Sequence, residues 1–429
     1  MNTETHYYIT RKGFDLLSEE VKKEWKSGKS IMLKSCMYPD IFADRGLTEA
    51  EKKKRDPDFK DSYLEPHNPK AMWYRELVKK VNNTPLALLS ETVPELRIYV
   101  YEYYLNKTVE YLKKGDMDTS AIFAGVFSHY IGDTTQPIHL VNSRVIDLLV
   151  KCPVRFLGFE LHAGIEGISG KPSINNYTPE ILGNSLPKAV MGLYRKILLM
   201  AEECRYTTIS MVKAIYSNKP MRAKKLAGIS VKAATLVFAD FLRTCWALAY
   251  GERISSSPLP LINYPFICSN IDMLYRYKPM KNISLIPYSG GRSYPLTTLD
   301  KNGKKKRVKG FGVIPYMGPL KTSTGTIKER DARIEFLLWP GGYHIFKAKV
   351  GLNPLFKKSK GKVVFRVFAD NRIIARSKEF SYGETEEEVI AKIPENAHFL
   401  TLSMLTVKEP PSPIVETHPH GVWVEPLLE

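Results

Sequence analysis

Up to about Tyr250 the apolar residues of this chain recur at every third or fourth position; beyond it they fall in short runs broken by Gly, Pro, Asn and Asp. A helix returns to one face about every 3.6 residues and a strand every two, so this change calls for two separately built bodies. Amphipathic helices are predicted over RKGFDLLSEEVKKEW, ELRIYVYEYYLNKTVEYLKK, LPKAVMGLYRKILLMAEECRYTTISMVKAIY and SVKAATLVFADFLRTCWALAYG. Another is predicted over 119–133, TSAIFAGVFSHYIGD, capped by Asp118 and ending near Gly132. The polar stretch 41–70 reads as loop. After the Ser/Pro-rich connector ISSSPLPLINYPF come RIEFLLW, YHIFKAKVGL, KVVFRVFAD, RIIARSKEF and HFLTLSML, which read as the strands of a sandwich. The expected fold class is multidomain, α then β: an all-α helical bundle over 1–252, a linker over 253–283 and an all-β sandwich over 284–429.

A chain of 429 residues, 44% of them hydrophobic, can bury sizeable cores without disulfide support. Its net charge of +18 favours anionic partners, whether nucleic acid, lipid head groups or phosphorylated substrates, and does not choose among them. No apolar run is long enough for a membrane-spanning helix. Cys36, Cys152, Cys204, Cys245 and Cys268 are dispersed without a CxxC pair and read mostly as buried thiols, with room for one disulfide. The opening MNTETHYYIT has no leader pattern, which fits either a processed, exported chain or a cytosolic one.

The chain has nine histidines, and their placement is uneven. His129 and Asp133 stand four residues apart, on one face of the predicted helix. His162 and Glu166 repeat the device, and His139 follows Pro137, where the chain must turn out of the helix. One such pair is ordinarily a surface contact. Two pairs with a third histidine between them make a zinc framework, since zinc takes neutral imidazole nitrogens and carboxylate oxygens at about 2.0–2.2 Å.

The segment FSHYIGDTTQPIHLVN resembles the core motif of the zinc-dependent phospholipase C family, His-Tyr-x-Gly-Asp-x-x-x-Pro-x-His-x-x-Asn, at every specified position. The resemblance extends to His162 and Glu166 downstream, to YPD at Tyr38–Asp40, to EPHNP at His67, to HYYITRKGFDLL at His6 and to FADFLRTCWALAYG, covering about 1–250. It implies a helical bundle holding up to three zinc ions. Asp40, His67, His129 and Asp133 would hold one; His139, His162 and Glu166 a second; His6 and Asp133, with the amino group and carbonyl of Met1, a third. It also implies Asp40 as the catalytic general base toward an attacking water. Met1 lies five residues before His6, as does the first tryptophan of mature chains in the related single-strand-specific zinc nucleases. An extracellular, secreted protein is therefore expected, a cytoplasmic one being the alternative. Where the family often has a choline-binding aromatic after Tyr-Pro-Asp, this chain has Ile41 and then Phe42, and only Glu4 offers an acidic partner near the start.

Residues 284–429, through PLTTLDKNGKKKRVKGFGV, LLWPGGYHIFKAKVGL, GKVVFRVFADNRIIARS and HGVWVEPLL, resemble the NPCBM-type carbohydrate-binding module, a sandwich of the galactose-binding class. That resemblance implies recruitment to a glycan or membrane surface. Trp339, Tyr343 and Trp423 are candidates for sugar stacking and equally for sandwich core. The basic run at 304–307 reads as a solvated hairpin, and His344, His398, His418 and His420 as loop residues. The expected function is zinc-dependent hydrolysis of a phosphodiester, by phospholipase C-type cleavage of a phospholipid head group. The alternatives are a zinc-dependent nuclease or nucleotidase, with nucleic acid as substrate, and a non-catalytic metal-containing glycan-binding protein. Glu166, where the nucleases usually carry Asp, and the lack of evident cysteine pairs favour the first.

Overall fold

The computed structural model describes residues 1–25, 27–43, 46–64, 98–141, 143–156, 160–168, 170–251, 258–266, 268–269, 280–281, 283–286, 292–314, 320–322, 325–327, 331–357, 360–408 and 419–429. They form two compact units, Met1–Ser255 and Ser256–Glu429. The first is helical and the second is built of antiparallel strands, the α-then-β fold class expected from periodicity.

The helical unit is organised around Met117–Thr135. This helix starts earlier than its apolar pattern: a side-chain oxygen of Asp116 accepts the Thr119 amide at 3.1 Å, so the cap is Asp116 and Asp118 lies in the first turn. Phe123, Val126, Phe127 and Ile131 are buried along it. Two glycines set how closely its neighbours approach. A Cβ on Gly125 would stand 2.1 Å from Ser35 Oγ and 2.5 Å from the Met32 carbonyl of the Gly28–Ser35 helix. A Cβ on Gly132 would stand 3.1 Å from the ring of His6, carried by the Thr3–Asp15 helix. Leu186–Tyr216 and Pro220–Tyr250 are the two long helices, each with Pro in its first turn, and the second stops at left-handed Gly251.

Two local readings change. RKGFDLLSEEVKKEW is two helices, Thr3–Asp15 and Glu19–Trp25, rather than one. The stretch 41–70, expected as loop, contains the helix Glu49–Arg55, none of whose side chains is buried. A capping box between Thr48 and Glu51 starts it, so local hydrogen bonding rather than an apolar face marks its N-terminus. Among the described residues no helix is long and apolar enough to cross a membrane, and Cys36, Cys152, Cys204 and Cys245 are free thiols.

In the second unit, a five-stranded sheet runs in the order Arg372–Phe380, Lys362–Ala369, Phe399–Lys408, Asp331–Leu337, Cys268–Ser269. A six-stranded sheet runs Glu387–Lys392, Ile345–Leu352, Gly421–Leu428, Gly310–Val313, Met280–Lys281, with Leu259–Pro260 also paired to Gly421–Leu428. Aromatic contacts join the two: Trp423 meets Phe365 edge-on at 5.3 Å, and Phe311 meets Phe336 at 5.9 Å. The stretch 253–283, expected as a linker, supplies three of these short strands, because its extended Pro-rich backbone can still hydrogen-bond at a sheet edge. Trp423 is fully buried, a core residue unable to stack on a sugar, while Trp339 and Tyr343 are half-buried. His420 is a loop residue as expected, lying just before the strand Gly421–Leu428, but it is buried against Phe356, with ring centroids 3.5 Å apart. His418 lies outside the described residues. Lys305–Arg307 is exposed, as expected, and forms a hairpin with Thr297–Leu299, in which Thr297 and Thr298 are buried.

Gly125→Ala is expected to force the Gly28–Ser35 helix off the central helix and to cost about 1–3 kcal/mol, the usual range for overpacking. Thermal or urea unfolding measures it; an unchanged midpoint would mean that the close approach is not structural.

Candidate metal centre

Five segments bring the predicted side chains together. The Thr3–Asp15 helix carries His6, a π-helical turn at Pro39–Ala43 carries Asp40, and the central helix carries His129 and Asp133. The 3-10 turn Pro137–His139 and the helix Leu161–Glu166 supply His139, His162 and Glu166. His67, assigned by resemblance to the first zinc, lies outside the described residues.

Two groups form. In the first, His129 Nε2 faces Asp133 Oδ2 at 3.1 Å and Asp40 Oδ1 at 3.4 Å, while His6 Nε2 faces Asp133 Oδ1 at 3.6 Å. The His6 and His129 rings stack at 3.9 Å, 7° from parallel. In the second, His139 Nε2 and His162 Nε2 lie 2.9 and 3.2 Å from Glu166 Oε1 and 3.2 Å from each other. The amino group of Met1 stands between the groups, 3.1 Å from Asp133 Oδ1 and 3.2 Å from Glu166 Oε1. All the predicted site residues within the described part of the chain thus meet in one continuous set of contacts.

These spacings fit a divalent cation. Ligand atoms bound tetrahedrally at about 2.1 Å lie about 3.4 Å from one another. Within each triad, His6–His129–Asp133 and His139–His162–Glu166, the candidate ligand atoms are all within 4.8 Å. Asp133 gives one oxygen to His6 and the other to His129, the division a bridging carboxylate needs. His6 is 1% exposed and, among the described residues, neither of its ring nitrogens has a hydrogen-bond partner. A buried polar atom left so is costly unless another group engages it. His139 and His162 add a second argument, because two neutral imidazole nitrogens facing each other at 3.2 Å repel unless a proton or cation lies between them.

The protonation states suit ligation. His129 Nδ1 lies 2.9 Å from the Cys36 carbonyl, which can only accept, so Nδ1 carries the proton and Nε2 is directed at the carboxylates. Burial, with the facing His129 ring, holds the His6 pKa well below its ordinary value and keeps it neutral. Burial also lowers that of His129, but Asp133 and Asp40 outweigh it and raise the pKa. Asp133 resists burial: His129 and the Met1 amino group hold its carboxyl well below the usual carboxylate range. Burial likewise opposes the charge on Glu166, yet the His139 hydrogen bond and the Met1 amino group hold its pKa down to about 2. Asp40 differs. Its pKa is raised by burial and by Asp133 and Glu166, against the pull of His129, and its side chain is 45% exposed. It lies on the open side of the centre.

Tyr38 and Phe42 fix the turn that bears Asp40. The Tyr38 hydroxyl donates to Asp56 Oδ2 at 2.5 Å, and Lys34 reaches the same oxygen at 2.8 Å. Phe42 is buried and stacks on Phe59 at 3.9 Å, so it supports the turn from below and is withdrawn from any head group. Glu4 is exposed and pairs with Lys171 at 3.2 Å. Sequence reasoning missed the Cys36 carbonyl, because a backbone acceptor leaves no mark on residue type. It also missed Asp56, whose role requires knowing that the chain folds back on Tyr38.

Residues 323–429 match the family model described as the NPCBM/NEW2 domain. Among solved structures, the α-toxin of Clostridium perfringens isolated from avian strain SWCP is similar at 11% identity, with 99% of this chain and 95% of that one covered and a TM-score of 0.30. The alpha toxin of Clostridium absonum is similar at 9% identity, with 99% and 94% covered and a TM-score of 0.30. The CBM51-2 and INT domains of Clostridium perfringens ZmpB, in complex with GlcNAc, match at 15% identity over 41% of this chain and 32% of theirs, with a TM-score of 0.29, so this chain spans under a third of that structure. No curated protein matches the chain in sequence.

Asp133→Asn and Glu166→Gln keep side-chain volume and remove charge, one from each triad. Each is expected to weaken binding of zinc or cobalt by about tenfold or more, read by calorimetric titration. An isotherm identical to that of the unaltered chain would remove the centre.

Proposed function

We propose that the helical unit is a zinc-dependent hydrolase of phosphodiesters, of the phospholipase C type, and that the C-terminal unit holds it at a glycan-bearing surface. One observation carries the first part. His6, Asp40, His129, Asp133, His139, His162 and Glu166, drawn from segments far apart in sequence, form one chain of contacts at ligand spacing. The match of residues 323–429 to the NPCBM/NEW2 model supports the second. Such a pairing suits an exported protein working on lipid at a cell surface.

Asp133, shared between two histidines, and the set His139, His162 and Glu166 would hold the zinc ions, with Asp40 on the open flank. When bound, such ions lower the pKa of a water to about 7 and stabilise charge on both the entering and leaving oxygens of a phosphodiester. The chain's own contribution is placement and proton transfer. The Cys36 carbonyl fixes the tautomer of His129, and the Tyr38–Asp56 hydrogen bond fixes the backbone turn of Asp40. With a raised pKa and an exposed oxygen, Asp40 accepts the proton of the attacking water and returns it to the departing alkoxide oxygen. Buried neutral His6 excludes solvent from the floor.

The test is turnover of p-nitrophenyl phosphorylcholine and of phosphatidylcholine, assayed beside single-stranded DNA. Asp40→Asn is expected to lower kcat by about 10²–10⁴-fold, as loss of a general base does, with zinc content measured on the same sample. Cleavage of DNA alone would replace this reading with that of a nuclease. Tight zinc binding with no substrate cleaved would make the centre structural.

A further inference from the structure

The segment after the central helix turns an apolar face outward. In the helix Ser143–Leu149 and just after it, Ile146 and Val150 are buried at 1% and 8% exposure. Leu148 and Leu149, on the other side, are 85% and 59% exposed, and Val154 in the next turn is 82% exposed. Met221, at the start of Pro220–Tyr250, is 76% exposed. One core cluster ties these places together. Ile146 and Val150 pack with Tyr216 and Ala227 and also with Ile138 and Ile165, the chain neighbours of His139 and Glu166. Arg155 adds a further link, its Nη2 donating to the Tyr216 carbonyl at 2.6 Å.

Apolar residues exposed singly are ordinary, but several protruding together mark an interaction surface. The charges around them indicate the occupant. Lys151, Arg155, Lys219 and Arg222 are exposed on the same segments, against the exposed acids Asp147 and Glu160. Protruding apolar tips flanked by cations match the boundary between acyl chains and anionic head groups.

We propose that this patch seats the protein on an anionic phospholipid surface, with Leu148, Leu149 and Val154 entering the acyl boundary and Lys151 and Arg155 meeting head-group phosphates. The idea deepens the phospholipase reading, which supplies the reason for a lipid surface, but its test does not depend on turnover. The zinc-loaded full chain is sedimented with vesicles of phosphatidylcholine alone and of phosphatidylcholine mixed with phosphatidylserine. Binding to the mixed vesicles is expected to exceed binding to the neutral ones and to fall with salt. The double variant Leu148→Asp/Leu149→Asp should bind the mixed vesicles about a hundredfold more weakly, with an unchanged melting temperature. Ile390→Asp, at an exposed isoleucine of the other unit, should bind as the unaltered chain does. Equal binding by the double variant, or equal loss in the Ile390 control, overturns the proposal. So does a dimer in lipid-free solution that the double substitution dissolves, since the patch would then be a self-association surface. Loss of vesicle binding in a chain that cleaves no phosphodiester leaves docking standing and removes the phospholipase reading. Retained hydrolysis of soluble p-nitrophenyl phosphorylcholine with unimpaired vesicle binding by the double variant removes docking alone.

Discussion

Two carboxylates, Asp133 and Glu166, hold the functional end of the helical unit together. Asp133 is met by His6, His129 and the Met1 amino group; Glu166 is met by the same amino group and by His139 and His162. Burial opposes the charge on both, yet both stay ionised because their partners are cationic or can donate a proton. Apart from the i,i+4 pairs His129–Asp133 and His162–Glu166, each contact spans segments that local propensity could never bring together. Removing either charge leaves imidazoles aimed at one another or at nothing, which is why the site and the packing of this region are one problem rather than two.

Backbone proximity makes the arrangement possible. Gly132 lets His6 approach the central helix, and Gly125 lets the Gly28–Ser35 helix press against it, which in turn sets where the Cys36 carbonyl falls. His129 is oriented by that carbonyl from one side and by carboxylates from the other. A histidine constrained at both nitrogens has one tautomer and little freedom, the condition for a ligand that must not reorganise when it binds.

Much of this was legible in residue order. The four-residue spacing of His129 with Asp133 and of His162 with Glu166 encodes their adjacency, because a helix places such positions side by side. The strand runs from 333 to 405 declared themselves by composition and punctuation. What residue order hid has definite causes. The helix Glu49–Arg55 buries no side chain, so no apolar period marks it. Asp116 caps the central helix two residues before the assigned Asp118, because either acid satisfies the same preference and only backbone geometry separates them. The strands at Leu259–Pro260 and Cys268–Ser269 are too short to show alternation, and their place at the margins of the sheets is decided by their partners. Trp423 offered the same aromatic signal whether it stacked on a sugar or filled a core, and only its neighbours Phe365 and Phe346 decide for the core.

Net charge and local charge point in opposite directions here, and the conflict bears on mechanism. The chain carries +18 overall, which draws anions toward it over a long range. Yet the centre presents Asp40, Asp133 and Glu166 within one set of contacts, and an approaching phosphodiester would meet their repulsion at close range. The histidines cannot neutralise them all: His6 is held neutral, so of this stacked pair only His129, whose pKa Asp133 and Asp40 raise, can carry charge. On the proposed function, such a substrate would settle only if cations between the carboxylates reversed the sign of the field at its oxygens. On that reading, binding of a phosphodiester at this centre, and not only its cleavage, would therefore depend on metal, whereas attraction of the whole protein to an anionic surface would not.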